Sequence, residues 1–352
     1  MACDATDPTV TRHNTRVGAS GLRIARVDPW QLRFVPQAFD PSANPAPKCL
    51  MIVFLHGLGD NVMLGPAVRT LAKSLPATRI SLLVRGDIPV AELWHGESAI
   101  AEVRSYRGVV PNYWDPVRSL RRRRELRDEI QRHAVAIGAD RIAHVTGLPL
   151  PTQLTRPLRM PHTHRLIAAQ LGVAPESYAY TIAVEAEHRA AVAPLFSSGA
   201  GAGPTVALNR TASFGRKFWS LRSYERLAAA LRDRGVRVLH CYGPGMRAVE
   251  RAFDGRNAER MPSDASTEDL VDQRLLVTAA AIERCRAVVS VDSALMHIAL
   301  ALRKPTVGIF TWPLLMNGHA YDARLAILPG QPDAQTALYA LNAHDTFVAQ
   351  LQ

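Results

Sequence analysis

Two aspartates in this sequence stand where acid–base and binding chemistry is usually done: Asp60 in FLHGLGDNVMLGP and Asp292 in VSVDSALMHIALALRKPTVGIF. Each follows a run of apolar residues and precedes a helical pattern. Around Asp60, Gly57 and Gly59 permit tight backbone geometry and close approach of a ligand. A carboxylate at a helix N-terminus is stabilised by the macrodipole. One that also faces a cleft can take the proton of an attacking hydroxyl, which is general-base work. The structural alternative is an aspartate that only caps its helix, the commoner fate of such residues.

Asp292 closes the apolar strand AVVSV and opens a helical stretch, Ser293–Arg303. The first amides of a helix lack intrahelical partners, and with the macrodipole they bind phosphate. Ser293 adds a hydroxyl, and His297 lies four residues on, on the same helical face. A lone buried histidine reads as core; the Asp–Ser–x–x–x–His constellation after a buried strand favours a phosphate site. A third stretch, NRTASFGRKFW (Asn209–Trp219), gathers Thr211, Ser213, Arg216 and Lys217 after another apolar strand. Lysine pairs with a diphosphate as a point charge, while hydroxyls and loop amides bond its oxygens. An ordinary surface loop with Trp219 tucked under the next helix fits that stretch equally well. The fourth, RSLRRRRELR (Arg118–Arg127), holds six arginines in ten residues. Such runs are usually solvated helix faces. The functional alternative is a clamp for an anionic acceptor or an acidic membrane surface.

Several chemistries are excluded by what the sequence lacks. FLHGLGDN resembles the oxyanion strand of an α/β-hydrolase, but no G-x-S-x-G nucleophile elbow follows: GESAI and SVDSA both lack the flanking glycines. A dinucleotide fingerprint fails because Gly57-x-Gly59-x-x ends on Val62. No D-x-D motif offers carboxylates for a bridging Mg²⁺ or Mn²⁺, so no metal site is expected. Cys3, Cys49, Cys241 and Cys285 are scattered without a C-x-x-C pair, against zinc and against a disulfide framework. The net charge of +11 suits an acidic partner. No nucleic-acid motif or interleaved aromatics accompany it, so nucleic acid is not the expected partner.

The elements that must position these residues are legible as rhythm. The chain of 352 residues is long for one core, and 47% hydrophobic with 21% charged residues is ordinary globular composition. From Cys49 onward, buried apolar strands (CLMIVFL, RISLLV) alternate with amphipathic helices such as Val62–Ser74. The pattern breaks at SSGAGAGP and restarts with TVALN, Leu221–Arg234, VRVLHCY, Leu275–Arg284, AVVSV, Ser293–Arg303 and PTVGIF. Such alternation means parallel sheets with crossover helices. The reading is α/β: an N-terminal extension over 1–48, a Rossmann-like domain over 49–196, a linker over 197–204, a second Rossmann-like domain over 205–334, and a C-terminal helix over 335–352. LRIARV and QLRFV are possible short strands of the extension. Ligands of such sheets bind outside the carboxyl ends of the strands. MACDATDPTV has no apolar core of a signal peptide, and the longest clean apolar run is Leu50–Leu55. A cytoplasmic protein with at most peripheral contact at the inner membrane is expected.

LHGLGDNVMLGPAVRTL, RTASFGRKFW and SVDSALMHIALALRKPTVGIF, in that order, resemble glycosyltransferase family 9, the ADP-heptose heptosyltransferases, over about Leu50 to Phe310. The resemblance implies a GT-B fold, two Rossmann-like domains facing across a cleft, with acceptor on the first and nucleotide sugar on the second. It implies Asp60 as catalytic base beside an acceptor loop of His56, Gly57, Gly59 and Asn61. It further implies Thr211, Ser213 and Lys217 near the diphosphate, Asp292 on sugar hydroxyls, and Ser293, Ala294, Leu295 and His297 on phosphate. The implied activity is inverting and needs no cofactor: heptose moves from ADP to a hydroxyl or amine of a glycolipid or small-molecule acceptor. The C-terminal helix, roughly Gln335–Leu351, would cross back onto the first domain. His56-Gly57 stands where the family usually has Ser-Ser, and Ala294 where it has glycine, which implies a divergent member. The rival readings are a non-catalytic nucleotide-sugar-binding module and, behind it, an α/β-hydrolase.

Overall fold

A computed structural model describes residues 39–42, 44–108, 110, 116–145, 163–197, 203–212, 215–242, 267–270, 274–311 and 324–343. The possible strands before residue 39, Ser213 and most of the 197–204 stretch lie outside the described residues.

Two separate parallel sheets organise the chain. The first comprises β1 (Cys49–Phe54), β2 (Arg79–Arg85), β3 (Glu102–Tyr106) and β4 (Arg141–His144), in the order β3-β2-β1-β4. The second comprises β5 (Thr205–Asn209), β6 (Arg237–Cys241), β7 (Thr267–Leu270), β8 (Ala287–Val291), β9 (Thr306–Phe310) and β10 (Leu325–Pro329), in the order β10-β9-β8-β5-β6-β7. All of these strand pairs are parallel. The helices are α1 (Leu58–Ser74), α2 (Val90–Leu93), α3 (Pro116–Ile137), α4 (Thr163–Gln170), α5 (Ala186–Ser197), α6 (Leu221–Arg232), α7 (Leu275–Arg284), α8 (Ala294–Ala301) and α9 (Ala334–Asn342). Among the described residues no helix is long and apolar enough to cross a membrane.

Strand β1 reads as a continuous apolar run because both of its faces are covered. Leu50, Ile52 and Phe54 enter one core, while Cys49, Met51 and Val53 enter another against Leu126, Ile130, Ala134 and Ile137 of α3. Of its arginine run, that helix leaves Arg122 and Arg124 exposed and Arg127 half-buried. The core on the Leu50 side does not stop at the first sheet. It continues through Val62, Leu64 and Val68 of α1 into Ile298, Ala299, Ala279 and Ile282, on α8 and α7 of the second. Helix α8 is therefore apolar nearly all round, as a helix covered on every side must be.

Chain order reverses once in each sheet: between β1 and β4, and between β5 and β8. Such switch points leave a crevice at the carboxyl ends of the strands. One sequence expectation changes here. Helix α1 begins at Leu58 rather than Val62, which puts Gly59 and Asp60 inside its first turn instead of in a preceding loop. The terminal helix is described over Ala334–Asn342. Ala337, Leu338, Ala340 and Leu341 bury against the second sheet's core, because its apolar face matches the groove beside Val307 and Ile309. Residues 344–352 lie outside the described residues.

Candidate functional site

The residues singled out above collect at the two switch points. Asp60 follows β1; Thr211 and Lys217 follow β5; Asp292, Ser293 and His297 follow β8.

On the first wall, Gly57 is the N-cap of α1, with an extended φ of −65° that any residue can adopt. Its amide donates to Asp60 Oδ2 at 3.2 Å, so Asp60 does cap its own helix. One carboxylate oxygen is enough for that bond, and capping and base chemistry are compatible in one residue. Burial raises the Asp60 pKa above its ordinary 3.8; His297 and Lys217 pull against that rise, as does the Gly57 amide, and Asp292 adds to it. Asn61 is buried and holds the loop rather than facing a cleft. Its Nδ2 donates to the carbonyls of His56 at 3.2 Å and Gly57 at 2.9 Å, and its Oδ1 accepts from Trp94 Nε1 at 3.4 Å. His56 packs its ring 4.7 Å from that of Phe54, and its pKa is lowered to about 4, first by burial and then by Arg85. His144, at the end of β4, is lowered to about 4 by burial and by His56.

The second wall is held by ionic and amide bonds. Lys217 Nζ lies 2.6 Å from Asp292 Oδ2. Asn209, the last residue of β5, ties the two loops together. Its Nδ2 donates to Ser290 Oγ at 3.0 Å, Ser293 Oγ at 2.9 Å and the Thr211 carbonyl at 3.0 Å. Its Oδ1 accepts from Thr211 N at 3.2 Å and Thr211 Oγ1 at 3.1 Å. Sequence reasoning missed Asn209. The available signal was an amide ending a fully apolar strand, where burial demands a bonded partner. Thr211 is thus turned toward Asn209, and Ser293 toward Asn209 and Ser290. Ala294 and Leu295 form the first turn of α8, whose N-cap is Ser293.

The walls touch. A Cβ placed on Gly59 would lie 2.6 Å from His297 Cδ2 and 3.6 Å from Ala294 Cα. The close approach that Gly59 permits is therefore to the second wall's histidine. His297 is 3% exposed, with burial lowering its pKa while Asp292 and Asp60 raise it. Two helix N-termini, two carboxylates, a lysine and a histidine meet in one crevice. This is an arrangement that can bind an anionic group on one side and accept a proton on the other.

Comparison with known proteins gives the family and the fold. The family model described as glycosyltransferase family 9 (heptosyltransferase) matches residues 103–324, well over half of the chain. Among solved structures, a family 9 glycosyl transferase from Veillonella parvula aligns with a TM-score of 0.65 at 17% identity, covering 86% of this chain and 97% of that one. ADP-heptose lps heptosyltransferase II of E. coli aligns at 0.61 and 17% identity, covering 86% and 100%. The E. coli heptosyltransferase WaaC, solved with ADP, aligns at 0.55 and 18% identity, covering 85% and 99%. These likenesses establish a GT-B fold. Among curated proteins none matches.

Proposed function

Because the chain belongs to glycosyltransferase family 9 and is a glycosyltransferase, we propose that it moves heptose from ADP-heptose to an acceptor hydroxyl or amine, with inversion and without a metal ion. The acceptor is a lipopolysaccharide-type glycolipid or a small metabolite. One observation carries the reading: a half-buried carboxylate of raised pKa, Asp60, stands across a crevice from a lysine–aspartate pair at a helix N-terminus. The WaaC structures with ADP and with ADP-2-deoxy-2-fluoro heptose support an ADP donor by kinship.

In the proposed reaction the acceptor oxygen attacks the anomeric carbon from the face opposite the diphosphate. Its proton passes to the Asp60 carboxylate. The bond from the acceptor oxygen to the anomeric carbon forms as the bond from that carbon to the phosphate oxygen breaks, and ADP leaves with the electron pair. Negative charge growing on the diphosphate is met by Lys217, by the free amides at the start of α8 and by His297, groups already fixed before the reaction. Asp292 orients the Lys217 ammonium and accepts from sugar hydroxyls. Asn209 holds the Thr211 and Ser293 loops at fixed spacing. The neutral state of His56, whose pKa is about 4, suits it to hydrogen-bond an acceptor rather than to pair with it ionically.

The test is a panel of ADP-, GDP-, UDP- and dTDP-sugars read by thermal shift, followed by NMR of the product's anomeric proton. An ADP-heptose-specific rise of the unfolding midpoint and an inverted anomer are expected. A shift with another nucleotide alone overturns the donor, a retained anomer overturns in-line attack, and activity abolished by EDTA overturns the metal-free scheme.

A further inference from the structure

The contact between Gly59 and His297 has a role of its own. Gly59 lies in the first turn of α1, on the first sheet's side of the crevice; His297 lies in α8, on the second's. Glycine costs helix stability relative to alanine, and Gly59 is not in the left-handed region that would call for one. What forbids a side chain is the His297 ring, 2.6 Å from where a Cβ would stand. Real Cβ atoms do not approach so near, so with any other residue the ring or the helix must move. The ring cannot easily give way, because Tyr180 from the first half meets it edge-on at 6.0 Å between centroids, and both residues are buried. Ala294 Cα sits 3.6 Å from the same point, in ordinary van der Waals contact, so the ring is the group in conflict.

We infer that Gly59 is the positioning residue that lets the two halves close, its bare Cα forming with Tyr180 a seat for His297. Seating delivers two things at once. The His297 ring comes within electrostatic reach of Asp60, and the phosphate-binding start of α8 is brought against the start of α1. The charges on Asp60 that oppose burial come largely from the second half, through His297 and Lys217. Closure therefore assembles the base's electrostatic surroundings as well as its geometry. Alanine at position 59 would separate the walls by the depth of a methyl group while leaving each wall internally intact. A misplacement on the ångström scale suffices to cost about 10²-fold in rate.

The activity arms of the test rest on the transferase reading; the scattering arm does not. Gly59→Ala is expected to fold, with a thermal midpoint lowered by a few degrees, because parting the walls disturbs the core that α1 shares with α8 by more than alanine's better helix propensity returns. Small-angle scattering without any ligand is expected to give a larger radius of gyration for the variant than for the wild-type chain. With ADP-heptose, kcat is expected to fall about 10²-fold while the KM for that donor, bound by the second half alone, changes little. The decisive arm is a double-mutant cycle with His297→Ala. If the contact is steric, Gly59→Ala costs less than about twofold once the ring is gone, because the two substitutions then share one interaction. An equal loss in both backgrounds overturns the inference, as does Gly59→Ala turning over like wild type or scattering identically to it. Wild-type inactivity with every nucleotide sugar would instead sink the transferase scheme and leave the scattering result to decide the closure contact.

Discussion

The two aspartates of the crevice have opposite surroundings. Asp292 has an ammonium 2.6 Å away and belongs to a wall stitched by the amide of Asn209. Asp60 has one backbone amide at 3.2 Å, and the two side chains that oppose the rise of its pKa, His297 and Lys217, stand on the opposite wall. The first wall's histidines, His56 and His144, are held neutral by burial, each with a pKa of about 4. One wall is thus poised to take a proton and the other to meet negative charge. A carboxylate already bound to a lysine is a poor base; a desolvated one with a single hydrogen bond is a good one, because burial lifts its pKa toward the working pH.

The comparison breaks most decisively at Asp60. Asp60→Asn keeps an oxygen to accept from the Gly57 amide, so the helix cap survives while the base is lost. Turnover is expected to fall about 10²–10⁴-fold, with the thermal midpoint nearly unchanged. Near-wild-type turnover in the folded variant would reduce Asp60 to a cap. The acid side of the kcat/KM profile carries the same assignment. Only the deprotonated carboxylate accepts a proton, so activity should fade as pH drops through a pKa above the usual 3.8.

Next in size is Lys217→Met. It removes a cation from the diphosphate and leaves the Asp292 carboxylate, 6% exposed, without that partner. A lost charge-assisted bond is worth about 1.5–3 kcal/mol, or roughly ten- to hundredfold in kcat. The sharper outcome is a shift. Lys217 lowers the Asp60 pKa, so its removal must move the acid limb to higher pH. A profile that drops in height without moving would mean that the two walls are electrostatically independent.

The sequence made the two walls unequally legible. Asp60, Lys217, Asp292 and His297 were visible because each sits at the end of an apolar strand or the start of a helix, where local pattern reveals position. Strands β1, β5, β8 and β9 were readable for the same reason. Three things were not. The start of α1 was set four residues late, because two glycines suggest a turn and nothing local says that Gly57 caps the helix with Asp60 inside it. Strand β7, whose sequence TEDL is polar, and β10, beyond the last recognised motif, exist through pairing with β6 and β9 rather than through propensity. Asn209 and the reason for Gly59 depend on partners 81 or more residues away in the chain, Ser290 and Ser293 for the first and His297 for the second. No local reading of a sequence reaches that far.

Asn209 gives a smaller effect, on stability before catalysis. Asn209→Ala leaves Ser290, Ser293 and Thr211 without their shared amide in a buried setting, which costs about 1–3 kcal/mol. A midpoint lowered by several degrees with weakened ADP binding is expected. Asn209→Asp should do worse than alanine, since a carboxylate cannot donate to the two serine hydroxyls or the Thr211 carbonyl. Equal midpoints for all three proteins would mean that the donor wall does not depend on its amide network.

The smallest effect sharpens the neutral character of the first wall. His56 and His144 titrate near 6.5 in an unfolded chain but at about 4 in the fold, lowered chiefly by burial. Between those values the unfolded chain binds protons that the folded one refuses, so acid favours unfolding. The stability these two neutral rings contribute is present above about pH 6.5 and drains away as pH falls toward about 4. The burial behind the shift is only partial, since neither residue is fully enclosed, and the expected loss is a few degrees of midpoint between about pH 7 and pH 5. Replacing both with glutamine removes the titration while keeping hydrogen-bonding capacity, so the double variant's midpoint should fall less over the same interval. The Asp60 shift runs the other way. Its raised folded pKa means that the fold binds that proton more readily than the unfolded chain, so protonating Asp60 does not itself promote unfolding. Protonating Asp60 silences turnover while protonating the two histidines weakens the fold, so kcat/KM and the thermal midpoint followed over the same pH range separate the two kinds of titrating group.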